Sequence, residues 1–353
     1  LIPVQQSRDM VEAARRLGIN IKIHEFKGEG HYIYWDLPCF QNAWSWCKDF
    51  TLNESPRRVT YKTYSLEYDT AFWARIEDFE QWGVAAEIDC EVSEDGSTLR
   101  IDTKNVRLLR IDVQRAPLQK VEDFDAVVNG EKTTLRATAN WDLYVQCSAG
   151  GLESPPQEDE GSWPPHKRKG LSGPVEEVFD RPFLVVVGAA GDDGADRKSF
   201  AKARQWLSDW DQFADGIPRV ALDSDVTAED ISRYSLVLIG EPSTNSIVAK
   251  VADKLPIKIG DHEYEVAGKV YKGPDLGLVL CYPNPLAPER FVVIYAGELY
   301  GSKCGINHKH DLLPDFIVFN TRVFEFDDTN QHEVAGYFDM DWKLSERLTW
   351  ARE

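Results

Sequence analysis

Apolar positions in the first fifty residues recur with helical spacing. Met10, Ala13, Ala14 and Leu17 fall at i, i+3, i+4 and i+7, the pattern of one helix face. Pro3 suits the first turn of that helix and Gly18 its stop. Ile19, Ile21 and Ile23 then alternate, which predicts a short strand closed by Phe26. A turn hinged on Gly28-Glu29-Gly30 follows and delivers His31. The histidine is thus expected just past the C-terminal end of a strand, the edge where ligands and catalytic groups collect in open α/β sheets.

From residue 57 to 146 the period changes from helical to alternating. VTYKTYSLEY, AFWARIE, VAAEIDCEV, TLRIDT, VRLLRID, FDAVV, TTLRA and WDLYVQ are short, rich in β-branched and aromatic residues, and parted by turn signals such as SEDGS. Strands in succession with no helical pattern between them predict an antiparallel β-sandwich, with Tyr61, Trp73, Ile88 and Leu109 in its core. NGEK is a hairpin turn, because Asn129-Gly130 tolerates positive φ. Residues 148–173 are crowded with Gly, Pro and charge and read as a long loop or linker without a core, its HKRK cluster solvated or salt-bridged and its Trp163 docked on a neighbouring surface.

Beyond Gly173 the strands become continuously apolar and alternate with helices. PFLVVVG, SLVLIG, GLVLCY and FVVIYAG are buried-type strands, and residues 195–213 and NSIVAKVADKL are helices. This predicts a parallel or mixed sheet covered on both faces, with the loops after 183–187 and 236–239 on one edge. EYEVAGKVYKG reads as an inserted hairpin, and PDFIVFN through GYFDMDWKL as a tail returning to an earlier domain.

Composition narrows the function. The 353 residues suffice for two or three domains, and 42% hydrophobic residues can build real cores. A net charge of -19 repels nucleic acid and anionic membranes, so neither is an expected partner. No apolar run is long enough to span a bilayer. The six cysteines show no metal-like spacing and read as buried thiols, Cys39 and Cys47 being the one local pair close enough to bridge.

The chemistry is carried by a resemblance. Leu1-Ile2-Pro3, Gln6-Ser7 and Gly28-Glu29-Gly30-His31 follow one another with the order and spacing seen at the end of α/β-hydrolase domains of the prolyl-oligopeptidase and carboxylesterase type. Arg58-Val59-Thr60-Tyr61, Tyr64-Ser65 and Tyr282-Pro283-Asn284-Pro285 are similar to segments in the accessory part of large bacterial hydrolases of that kind. The resemblance implies that His31 is the triad histidine. Tyr32, Tyr34 and Trp35, with Trp44 and Trp46 nearby, either line a substrate pocket or seal an interdomain seam. No G-x-S-x-G occurs in the chain, and the family's acid would fall before Leu1. The nucleophile and acid are therefore expected upstream, in a larger protein acting on an ester or peptide bond. The 353 residues alone are expected to be inert, since a histidine without its serine and acid activates little. The rival reading is a non-catalytic module that binds a partner or carbohydrate and retains a hydrolase remnant.

The expected fold class is therefore multidomain α/β plus all-β. It comprises an α/β-hydrolase tail (1–52), a β-sandwich (53–147), a linker (148–173) and a doubly wound, flavodoxin-like α/β domain with a C-terminal tail (174–353). No cofactor is implied. GAAGDDGAD lacks the GK[ST] of a nucleotide loop, and its aspartates are expected to cap the following helix, as are the Ser and Asn of GEPSTN. NHKHD, with two histidines at i and i+2, is expected to be a surface loop rather than a metal site. Oligomeric state is left open, and so is localisation, with export to the periplasm or beyond compatible with the resemblance.

Overall fold

The computed structural model describes residues 3–30, 37–119, 122–147, 163–301, 309–322 and 332–352. The chain falls into two compact units, Leu1–Glu54 and Ser55–Glu353. In the first, helix α1 spans Val4–Arg16 and helix α2 spans Leu37–Cys47. Gly18 ends α1 as expected, at φ 74 with its N–H donating to the Arg15 carbonyl. Arg8 pairs with Glu25 at 2.6 Å, and the Lys22 ammonium lies 5.2 Å from the Trp46 ring centre. Two expectations fail here. Residues 19–26 form no strand, because alternation alone makes none without a neighbour to complete the ladder, and among the described residues there is none. The α1 stripe is also uncovered: Val11 is the one buried side chain among the described residues of the unit, while Met10 is 70% and Leu17 78% exposed.

The second unit opens with nine strands: β1 (Arg58–Thr63), β2 (Thr70–Ala71), β3 (Ala74–Phe79), β4 (Ala86–Val92), β5 (Thr98–Lys104), β6 (Val106–Asp112), β7 (Asp123–Val128), β8 (Glu131–Arg136) and β9 (Asp142–Gln146). They form two sheets, ordered β1-β4-β5-β7-β8 and β2-β3-β6-β9. Every second residue points inward, as in the buried-intermediate alternation of β4, so Val59, Ile88, Ile101, Ile76 and Leu109 from both sheets meet in one core. Burying each such side chain stabilises the fold by ~1.5–3 kcal/mol. Trp73, Ile88 and Leu109 are buried as expected, and Tyr61 packs at the margin with its hydroxyl donating to the Tyr68 carbonyl. The turn Asn129-Gly130, with φ 49 and 88, joins β7 to β8 in the register Val128↔Glu131. The expectation of purely antiparallel pairing is corrected at one place: β5 and β7 run parallel.

The rest of the unit is a mixed eight-stranded sheet. Its elements are β10 (Phe183–Val187), α3 (Asp193–Ala214), β11 (Arg219–Leu222), α4 (Ala228–Arg233), β12 (Ser235–Ile239) and α5 (Ser246–Val251). A small antiparallel sheet follows, β13 (Lys258–Gly260), β14 (Glu263–Val266) and β15 (Lys269–Lys272). The chain then returns through β16 (Leu276–Asn284), β17 (Ala287–Gly297), β18 (Phe316–Asn320), β19 (His332–Phe338) and β20 (Leu344–Ala351). The order is β11-β10-β12-β17-β16-β18-β19-β20. Strands β11, β10, β12 and β17 are parallel, with β10 and β12 neighbours as expected. From β16 onward every pairing is antiparallel, so a doubly wound pattern extends over only half of the sheet. The tail belongs to this sheet, yet its Met340 is buried in the core of the first two sheets and Leu348 packs against that core.

Residues 166–169, the HKRK cluster, pin these layers together. Each basic side chain reaches an acid on a different element. His166 Nδ1 lies 2.8 Å from Asp341, and its Nε2 lies 3.1 Å from Asp78 and 2.9 Å from the Arg107 guanidinium. Burial disfavours a charge on this imidazole, but the hydrogen bonds to Asp78 and Asp341 and the Asp78 charge outweigh it and raise the His166 pKa. Arg168 pairs with Glu289, and Lys169 reaches Asp69 at 2.9 Å. Lys167 is fully buried, 2.8 Å from a fully buried Asp315, with the Trp82 and Trp342 rings 4.2 and 4.3 Å from its ammonium. Leu171 and Ser172 are buried as well. The expectation that residues 148–173 contribute no core is thus corrected for their C-terminal part. Its polar groups are satisfied by partners far away in the chain. Trp163 packs edge-on against Tyr282, as the sequence suggested.

Candidate functional site

The parallel strands β10, β11 and β12 end at one edge of the large sheet, and the loops that leave them are stitched to one another. Asp223, just after β11, accepts from the Ala189 N–H at 2.9 Å and the Ser246 N–H at 2.6 Å. Burial opposes its ionisation, but these N–H groups outweigh burial and hold its pKa below the ordinary carboxylate value. Asn245 is fully buried. Its side-chain oxygen accepts from the Ile247 and Val248 N–H groups and caps α5, while its amide donates to the Val186 and Ile239 carbonyls. Asp192 caps α3 by accepting from Gly194 and Ala195 at 2.9 and 2.8 Å, and Asp196 accepts from Gly191. The capping expectations are realised by Asp192 for α3 and by Asn245 for α5, whereas Ser243 caps neither helix.

Beside this scaffold lies a cluster that the sequence reading did not single out. Glu241 follows β12 and is buried; Asp261 and His262 form the two-residue turn between β13 and β14. The potential ligand atoms of these three residues lie within 4.8 Å of one another. The His262 N–H donates to Glu241 Oε1 at 2.9 Å and fastens the turn to the strand end. His262 Nδ1 lies 3.2 Å from the Leu276 carbonyl. A carbonyl can only accept, so in the neutral imidazole this nitrogen carries the proton and Nε2 presents the lone pair. Burial, aided by the neighbouring Asp261 carboxyl, raises the Glu241 pKa against the opposing His262 N–H. The Tyr264 hydroxyl is buried and faces Glu241 without completing a hydrogen bond; burial and that carboxylate push its pKa up. Gly297, at φ 67 on the end of β17, lies so close beneath this hydroxyl that no Cβ would fit. The one signal in the sequence was a turn reading Asp-His where hairpins favour Asn-Gly; His262 adopts φ 45, which a non-glycine residue rarely does.

The residues the sequence nominated fall elsewhere. His31, Tyr32, Tyr34 and Trp35 lie outside the described residues. Trp44 and Trp46 lie on α2, Trp44 being 73% exposed. The surface-loop expectation for NHKHD is corrected in its described part. Lys309 is buried with its ammonium 2.9 Å from Asp209, and His310 is buried among Phe179, Trp206, Trp210 and Phe213. Burial holds His310 down at about 4, so it stays a neutral core histidine near neutrality. Cys90, Cys147 and Cys281 are buried thiols whose pKa values burial raises, which makes them poor nucleophiles. No helix among the described residues is long and apolar enough to cross a membrane. No protein-family model matches the chain, and no curated protein is significantly similar to it.

Proposed function

We propose that residues 1–52 serve as the histidine-bearing C-terminal part of an α/β-hydrolase domain, with the nucleophilic serine and the acid supplied by chain beyond Leu1. Residues 55–353 act as an accessory unit, a β-sandwich joined to a flavodoxin-like sheet. The observation that carries this reading is the uncovered apolar surface of the first unit. Val4, Met10, Leu17, Ile19, Phe40, Trp44 and Leu52 are each at least half exposed. Such a segment has the apolar periodicity of a domain interior and lacks the interior, as a terminal helix and loop removed from their sheet would. In the complete site His31 accepts the proton of the serine hydroxyl, and the acid fixes its tautomer. Tyr32, Tyr34 and Trp35 wall the acyl or aromatic group of an ester or peptide substrate. A fluorophosphonate probe tests the nucleophile. It should label the longer gene product on a serine outside residues 1–353 and leave the 353-residue chain unlabelled; a longer product that takes no label contradicts the proposal.

A second reading, a non-catalytic binding module, is favoured by one observation. A groove over β1, β4 and β5 is lined by Thr60, Lys62, Glu87, Asp89, Asp102 and Lys104, alternating donors and acceptors of the kind that sugar hydroxyls match. Its charges already satisfy one another, Glu87 bridging Lys62 and Lys104 at 2.9 and 3.0 Å, which weakens its pull on a ligand. Titration with neutral oligosaccharides separates the readings, since the hydrolase reading requires no binding there.

A further inference from the structure

We infer that Glu241, Asp261 and His262 form a binding site for a divalent transition-metal ion of the Zn²⁺ class. The inference stands independently of the hydrolase proposal, because it concerns a different unit of the chain.

The geometry comes first. Ligand atoms held on one ion by bonds of ~2.1 Å in a tetrahedron are separated by about 3.4 Å. The three donors here, all within 4.8 Å of one another, reach that spacing by small side-chain rotations. They are also held in place without an ion. The His262 backbone N–H clamps the turn to Glu241, and the Leu276 carbonyl accepts from the imidazole Nδ1–H. Metal-binding histidines usually present this arrangement, one nitrogen oriented by an outer acceptor and the other free to ligate.

The second observation is the Tyr264 hydroxyl. The residue has no exposed surface, and its oxygen faces Glu241 beside Gly297 with no completed hydrogen bond. Buried phenols nearly always find a partner, so one left open beside a carboxylate is a donor that a further ligand atom would satisfy. A water on the ion fits that need, with the phenol positioned to bond it.

Charge points the same way. Glu241 is buried with Asp261 beside it, and the surrounding lysines are committed elsewhere: Lys202 donates to the Gly297 carbonyl and pairs with Glu298 at 3.7 Å, Lys258 pairs with Glu265, and Lys272 pairs with Glu263. A dication relieves the carboxylate repulsion that the chain leaves in place. The donor set then selects the ion. Calcium and magnesium take oxygen ligands, whereas one imidazole with two carboxylates suits zinc, manganese and their neighbours.

The test is calorimetric titration of Zn²⁺ into the chelator-treated 353-residue chain, with Co²⁺ as a spectroscopic replacement. One equivalent should bind, and bound Co²⁺ should show the visible absorption of a low-coordinate N/O site. His262→Ala and Asp261→Asn should each weaken binding by at least about 10–100-fold, the loss expected from removing even an outer-shell partner. Asp261 lies exposed in a turn, so that variant should keep the wild-type circular dichroism and isolates ligation from folding. Absence of Zn²⁺ binding, or binding unchanged in the folded Asp261→Asn and His262→Ala variants, overturns the inference. So does equal affinity for Mg²⁺.

Discussion

Replacing Lys167 with Met keeps the length of the side chain and removes only its charge. What remains is Asp315, fully buried, with the Phe338 N–H at 2.9 Å as its remaining partner and one carboxylate oxygen already without any. Burial pulls the lysine pKa down and pushes the aspartate pKa up, so each ion tolerates its place only because of the other. Breaking a buried pair in this way costs about 3–5 kcal/mol. The ammonium also loses its position between the Trp82 and Trp342 rings, where a desolvated cation–π contact is worth ~2 kcal/mol, though the two losses overlap and do not add. Lys167→Met should therefore lower the folding equilibrium of residues 55–353 by about 10²–10⁴-fold. The double variant Lys167→Met/Asp315→Asn removes both charges and should recover to within about 1 kcal/mol of wild type, because buried pairs often exchange for neutral groups at little cost. Urea unfolding at pH 7, followed by the fluorescence of the flanking tryptophans, gives the four corners of the cycle. A single variant that loses less than about 1 kcal/mol, or a double variant no better than the singles, refutes the idea that this ion pair locks the layers together.

The remaining predictions concern the same unit. Burial pushes the Glu177 carboxyl up to about 7, against an ordinary 4.5. The folded state therefore holds a proton that the unfolded state has released, and stability falls as pH rises from about 4.5 through 7 and levels off above. Glu177→Gln, which keeps an acceptor for the Ser172 N–H and hydroxyl, should be nearly neutral at pH 4.5 and stabilising by at most about 3 kcal/mol at pH 8 in denaturant titrations; an equal effect at both pH values would contradict this. Asn245→Ala removes the α5 cap and two hydrogen bonds to buried carbonyls of β10 and β12, so a loss of roughly 1–3 kcal/mol is expected in the same titration, with less than about 0.5 kcal/mol contradicting the stitching role.

What could be seen in the sequence was what local chemistry decides. The inward alternation of β4 and β6, the Asn129-Gly130 turn, and the apolar runs of β10 and β12 each state their structure within a few residues. Strand β11 was invisible because it is a short edge strand with no fully buried position and no clean alternation. Ile19, Ile21 and Ile23 misled for the opposite reason: they alternate, but pairing depends on a neighbour that lies elsewhere. The clasp at residues 166–169 and the cluster at residues 241, 261 and 262 depend on distant partners. Lys167 and Asp315 are 148 residues apart, and no local pattern announces that a run of basic residues in an acidic protein will be buried one charge at a time. His262 carried a weak local mark in its turn, whereas Glu241 carried none.

The measurement that bears most directly on the proposed function is aryl-ester turnover by the complete gene product, compared with its His31→Ala variant. The hydrolase reading predicts turnover by the complete protein, its loss by roughly 10³-fold or more in the variant with the fold intact, and none from the 353-residue chain alone. Undiminished turnover in the His31→Ala protein, or robust turnover by the 353 residues without a serine elbow, would contradict it.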